Sequence, residues 1–145
     1  MFKVIREFEP SIIDKLRPNF VGDGSYSPDV MAEEFKLSMS AYPKDFLVLV
    51  AYDDDNISGH LIAFKADNRN YVVFDQVHNS IVGLEGIATA NVAFKMMIEW
   101  AKSLGCDEIR METERHSVAE KCLRFWGFEE KGVSLRLDLS NDNLR

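Results

Sequence analysis

Apolar positions along this chain change their period several times, and each change marks a new element. Phe2 to Glu7 reads as a short strand, and Pro10-Ser11-Ile12-Ile13-Asp14-Lys15-Leu16 supplies a Pro and a Ser suited to starting a brief first helix. Asn19 to Ser25 is loop-like. Ser27-Pro28 reads as the N-cap and first residue of a second helix running to about Tyr42, with Asp29, Glu33 and Glu34 placed early, where the helix dipole favours carboxylates. Phe46 to Tyr52 is a nearly continuous apolar run, and Asp53-Asp54-Asp55-Asn56 turns the chain. Ile57 to Lys65 and, after the turn Ala66 to Asn70, Tyr71 to His78 complete three strands of an antiparallel meander.

Beyond the meander the period returns to helical. Val92, Met96, Met97, Trp100, Ala101 and Leu104 recur at three-to-four spacing over Asn91 to Leu104, with Gly105 as C-cap, so Met96, Met97 and Trp100 are expected to cover the sheet. Asp107 to Thr113 alternates as a strand with Ile109 and Met111 on one face. Ser117-Val118-Ala119-Glu120 has the form of a capping box opening another helix, and Phe125, Trp126 and Phe128 read as core and exit packing around a tight Trp126-Gly127-Phe128 turn. Val133, Leu135, Leu137 and Leu139 alternate in a final strand. The predicted order is βααβββαβαβ, an α/β (α+β) arrangement with no repeat, linker or low-complexity block, and residues 1–145 are expected to form one domain.

Charge narrows the choice of partner. The net charge of −7 disfavours a nucleic-acid groove, which must displace counterions with clustered Lys and Arg. No apolar run approaches membrane-spanning length, and the amino terminus runs straight into charged residues, so no membrane partner and a cytoplasmic location are expected. Cys106 and Cys122 lack the spacing of a metal site or a disulfide framework and read as buried, reduced thiols. Asp53 to Asp55 lack the spacing and closing Glu of a calcium loop, so no metal is expected.

The element order, with Ile109 to Thr113 followed by His116-Ser117-Val118-Ala119 and Trp126-Gly127-Phe128, resembles the GCN5-related N-acetyltransferase (GNAT) superfamily. That resemblance implies a mixed, mostly antiparallel central sheet flanked by helices. It also implies two strands that splay apart to admit acetyl-CoA as co-substrate, and a homodimer built by paired final strands. Of the family's carboxy-terminal pattern N-x-x-A-x-x-x-Y-x-x-x-G-F, Ala119, Gly127 and Phe128 match in register. His116 stands at the Asn position and Leu123 at the Tyr position, where the family keeps the acid that protonates the leaving thiolate; Leu123 has no proton to give. The family's pyrophosphate loop, Q/R-x-x-G-x-G/A, fits in two registers. One is Gly83-Leu84-Glu85-Gly86-Ile87-Ala88, which leaves the following helix about two residues longer than usual for the family. The other starts at Glu85 and runs to Ala90. Neither register contains a cation, so Arg115, Lys121 or Lys95 would have to supply one.

The resemblance places Val77, His78, Gly83, Leu84, Glu85, Gly86, Ile87, Ala88, His116 and Ala119 at the cofactor. His78, at the end of the strand lining the gap, is the candidate base, because a neutral imidazole can accept a proton from an incoming ammonium; the alternative is an imidazole that merely hydrogen-bonds backbone where two strands part. His116 is the candidate acid. Asp75 and Gln76 alternate on the same strand, so one of them is expected to face the acceptor channel, and Glu112 is a similar candidate. Cys122 has no catalytic partner at suitable spacing and reads as packing. The implied activity is transfer of an acetyl group from acetyl-CoA to a primary amine of a small molecule or peptide by direct attack. The alternative is a GNAT-like binding or interaction protein of phage type that has lost catalysis, which Leu123, Gly83 and Glu85 motivate.

Overall fold

A computed structural model of the chain describes residues 2–22, 26–113 and 115–132, which fall into two compact units, Met1–Glu112 and Thr113–Arg145. The first unit contains β1 (Phe2–Arg6), α1 (Ile12–Leu16), a 3-10 turn (Arg17–Asn19), α2 (Pro28–Ala41), β2 (Phe46–Asp53), β3 (Asn56–Lys65), β4 (Tyr71–Asn79), α3 (Gly83–Ser103) and β5 (Glu108–Arg110). The second contains α4 (His116–Phe125). The expected final strand, Val133 to Leu139, lies outside the described residues.

The strands form one sheet in the order β1-β2-β3-β4-β5, antiparallel throughout except for the parallel β4–β5 pair. The continuous apolar run of β2 is explained by its central position: Phe46 to Ala51 are all buried because both faces of the sheet are covered. On one face α1 and α2 set Ile13, Leu16, Ala32 and Phe35 against Val48, Val50 and Ile62. α2 starts as its sequence predicts, with Ser27 Oγ accepting from Val30 N at 3.2 Å and Pro28 in the first turn. α3 covers the other face, burying Phe94, Met97, Trp100 and Ala101, with the Trp100 indole donating to Lys44 O at 3.1 Å. The helical stripe is therefore shifted from the expected one: Phe94 belongs to it, Met96 is half-buried and Val92 is exposed. Gly105 ends α3, and Cys106 N donates back to Ala101 O at 3.1 Å.

Tyr52 on β2 donates to Glu7 Oε1 at 2.6 Å, tying the segment after β1 to the sheet. Burial, and then the neighbouring Glu7 carboxylate, push the Tyr52 phenol up to about 12. A raised folded pKa means stability that is complete below the unfolded value near 10 and lost as pH climbs through the folded one. We expect the wild-type melting temperature to fall between about pH 10 and pH 12 more steeply than that of Tyr52→Phe. Parallel melts of the two proteins check this, and equal slopes would refute it.

In the second unit α4 begins two residues earlier than the sequence suggests. Arg115 is its N-cap, no side chain caps it, and Val118 N and Ala119 N both turn back to Arg115 O at 3.1 Å. The expected Ser117–Glu120 capping box does not form; Glu120 pairs instead with Arg124, one turn on. Val118 and Cys122 are buried one turn apart. Phe125, expected as packing, is 69% exposed. Gly127, at φ +75, turns the chain out of the helix, and Phe128 N donates to Cys122 O at 3.2 Å.

Candidate active site

β4 and β5 pair only at Tyr71–Glu108, Val72–Ile109 and Val73–Arg110, because β5 ends at Arg110, well short of the expected Thr113. Among the described residues, β4 from Phe74 to Asn79 has no strand on that side, so the two strands part midway along β4. At the parting, Phe74 pairs with Ala63 and Gln76 with Ile62, which leaves Asp75 as the extra residue of a β-bulge. The bulge corrects the expected alternation: the consecutive side chains Asp75 and Gln76 meet, with Gln76 Nε2 donating to Asp75 Oδ1 at 3.2 Å.

Gln76 is 5% exposed and faces the protein rather than an open channel. Its amide takes both backbone groups of Val21, accepting from Val21 N at 3.1 Å and donating to Val21 O at 3.2 Å. A side chain thus does what a neighbouring strand would do, and it fastens the segment after the 3-10 turn to β4. Two residues on, half-buried His78 lies directly across from His60 of β3, with ring centroids 5.8 Å apart. His60 is itself buried, and its ring meets the edge of Phe20 at 5.5 Å. Neither His60 nor the Gln76–Val21 clasp stands out in the sequence as anything but strand and loop.

Past β4 the chain makes a short, heavily tied connection into α3. Ser80 N and Oγ both donate to Ser58 O, at 2.9 and 2.7 Å; Asn79 Oδ1 accepts from Ile81 N at 3.0 Å, and Asn79 Nδ2 donates to Gly86 O at 3.1 Å. Asn79 therefore clips the connection to the first turn of the helix. That turn passes so close to Ile81 that a Cβ on Gly86 would run into the Ile81 carbonyl, whose carbon would be 2.9 Å away. The whole Gly83 to Ala88 stretch is helical, and its N-cap, Val82, provides no side-chain bond to the opening N–H groups. Gly83, Leu84 and Glu85 form the first turn, Ile87 is exposed, and Ala88 follows within the helix. Glu85 sits where the helix dipole itself favours a carboxylate.

The structure thus gathers Val77, His78 and the Gly83–Ala88 turn at one end of β4, and places His116 and Ala119 on the first turn of α4 in the second unit. Of the proposed cations, Lys95 is twelve residues beyond Gly83 on α3, roughly 18 Å along the axis, and cannot serve that turn. Arg115 and Lys121 belong to the second unit, and Glu112 is an exposed residue after β5. Burial pushes the Cys122 thiol up to about 11, which suits packing and not nucleophilic attack. No group of His, Cys, Asp and Glu suited to a metal ion occurs among the described residues, and none of their helices is long and apolar enough to cross a membrane.

The sequence matches no protein-family model and no curated protein. Solved structures do match. The aminoglycoside N-acetyltransferase AAC(6')-Iy, in complex with a bisubstrate analogue of CoA, superposes over 95% of this chain and 97% of its own, with a TM-score of 0.67 at 14% identity. A Desulfovibrio desulfuricans protein assigned to the GNAT family of acetyltransferases gives 0.67 at 13% identity over 91% and 87%. The fold is the GNAT acetyltransferase fold. Aminoglycoside 6'-N-acetyltransferase AAC(6')-Ih from Acinetobacter baumannii matches the same GNAT frame at 20% identity, covering 95% of this chain and 97% of its own, with a TM-score of 0.63.

Proposed function

We propose that this chain is a divergent member of the GNAT superfamily that transfers an acetyl group from acetyl-CoA to the primary amine of a small molecule or peptide. The observation that carries the reading is the parting of β4 from β5 beside a helix start whose N–H groups have no side-chain cap. Anions are favoured at such a start, and the match to structures holding CoA or a CoA analogue supports a diphosphate as the anion. The residues present fit that ligand through backbone. Gly86 allows the close turn, and the register with Gly86 at the motif's glycine is the one we adopt, since the alternative register assigns that place to Ala88.

In this reading the N–H groups of Gly83, Leu84 and Glu85 hold the diphosphate, with Ile87 and Ala88 completing the turn. Val77 and the end of β4 line the thioester, and His78 takes the proton released by the attacking amine. The amine attacks the thioester carbonyl directly, without a covalent enzyme intermediate, and the protein supplies orientation and backbone donors. Ala119 would pack against the pantetheine arm, and His116 would return a proton to the departing thiolate, a task for which Leu123 is unfit. We also read residues 1–145 as one domain, cytoplasmic and homodimeric, with a small amine acceptor like those of the aminoglycoside enzymes.

Titration with acetyl-CoA tests this. At a hundredfold excess over Kd a ligand specific for the folded state adds about 2.7 kcal/mol, so the melting temperature should rise by roughly 10 °C, and CoA should accumulate with a panel of primary amines. No thermal shift and no CoA release would end the proposal. Leu123 motivates a second reading, a protein that binds CoA without transferring the acetyl group; a thermal shift with no CoA release from any amine would select it.

A further inference from the structure

The side of β4 from which an amine must reach His78 is bordered by the segment that follows α1. Gln76 lies across from Ile62, and His78 from His60, whose ring meets Phe20; Ile62 and Phe20 both belong to the core formed with α1 and α2. Gln76 and His78 therefore share the α1–α2 side of the sheet, away from α3. Along this side Phe20 is buried, with its ring against Phe35 at 5.6 Å, and Val21 commits both of its backbone groups to the Gln76 amide, at 3.1 and 3.2 Å. At Gly22 a Cβ would lie 3.0 Å from Tyr26 O and 3.3 Å from Pro28 Cδ, so the chain is closely set there too. We propose that Gln76 is a positioning residue that sets acceptor selectivity: by holding Val21 it fixes Phe20 to Gly22 as a wall beside His78, and the wall admits slim primary amines in preference to bulky ones. This rests on the reading of acetyl transfer with His78 as base.

The clasp is what makes this segment a wall. Val21 is 43% exposed and belongs to no helix or strand, and among the described residues its N–H and C=O have no other hydrogen-bond partner. An amide suits the task because it donates and accepts at once, as an adjacent strand would; neither a carboxylate nor an alkyl chain of the same length does both. The bulge sets the direction. Asp75 is the extra residue, so Gln76 is the one that turns to the α1–α2 side. Two neutral hydrogen bonds favour the held over the released segment by about thirtyfold, too little to carry the fold but enough to keep the wall in place. Released, the segment gives way to a bulky acceptor; held, it does not.

The test compares the intact chain with two variants, using a straight-chain primary amine and one whose amino group sits on a ring carbon. Gln76→Met keeps the length of the side chain beside Met31, whose Sδ lies 3.7 Å from the amide nitrogen, and removes both bonds to Val21. Its Val21 amide should exchange with solvent at least tenfold faster than in the wild type, while the amides of β2 keep their rates. The ratio of kcat/KM for the slim amine to that for the bulky one should fall about tenfold, at unchanged acetyl-CoA affinity. Val21→Pro deletes one of the two bonds from the other partner, leaves the Gln76–Asp75 bond intact, and suits the extended Phe20 before it, at φ -75 and ψ 143. It should move the ratio the same way by about threefold, and it decides alone where Gln76→Met fails to fold. An unchanged ratio in both variants overturns the proposal, and a change in Gln76→Met alone does so too, since it would trace selectivity to Asp75. No turnover by the wild type, or full kcat in His78→Asn, ends the underlying reading and this proposal with it.

Discussion

Gly86→Ala is expected to destabilise the protein by about 3 kcal/mol and to weaken acetyl-CoA binding at least tenfold. The added Cβ has nowhere to go: it points at the Ile81 carbonyl, backbone that is held by the Asn79 side chain on the preceding bond and cannot rotate away like a side chain. Overpacking against mobile side chains costs about 1–3 kcal/mol, and collision with tied backbone belongs at the upper end. Relief requires the first turn of α3 to open, which would strain the Asn79 Nδ2 bond to Gly86 O and re-aim the N–H groups proposed to hold the diphosphate. Gly83→Ala is the control. Its Cβ meets nothing, so only the cost of φ +71 remains, about 1 kcal/mol. Urea unfolding and calorimetric titration of both variants check the contrast. If Gly86→Ala proves as mild as Gly83→Ala, the close approach does not govern the site.

Gln76→Glu should be the most damaging conservative substitution on β4. The wild-type amide donates to both Val21 O and Asp75 Oδ1, and a carboxylate of the same shape can donate to neither. At neutral pH it would be a charge in a 5% exposed position facing a carbonyl and another carboxylate, at a cost of about 3–5 kcal/mol. Burial and Asp75 both raise the folded pKa of the new Glu above its unfolded value. The sign follows: the variant is closest to wild type below the unfolded pKa near 4.3 and loses stability as pH rises through the folded one. Urea unfolding at about pH 5 and pH 8 should show a variant-minus-wild-type deficit that grows with pH. A deficit independent of pH would mean that the amide hydrogens are not what hold Val21.

The meander was legible because its signals are local. The buried run Phe46 to Ala51, the Asp53–Asn56 turn and the alternation up to His78 each specify a strand without help from distant residues. The Ser27-Pro28 start of α2 was legible for the same reason. The capping box at Ser117 misled because a side-chain cap competes with backbone geometry, and here the turn closes two residues earlier, at Arg115. Val92 was assigned to the wrong side of α3, since several stripes of apolar residues are available on this helix and only the sheet selects among them.

The candidate site was half legible. The small residues around Gly86 and the place of His78 at the end of a strand follow from spacing, and the order of elements pointed to the GNAT fold that the structural matches bear out. The bulge at Asp75 was not foreseeable, because a bulge is a mismatch between two strands and depends on β3 as much as on β4. It reverses which residues share a side, so Gln76 turns inward to clasp a loop more than fifty residues away in sequence.

The sequence by itself determined the elements, their order and the chemistry available, since periodicity, caps and turn residues act over a few positions, and no fold can give Leu123 a proton. Only the tertiary structure decided where β5 stops, which residue bulges, and that His60 stands against His78. Those outcomes depend on contacts between distant segments, where packing and hydrogen bonding choose among registers that local sequence leaves nearly equal.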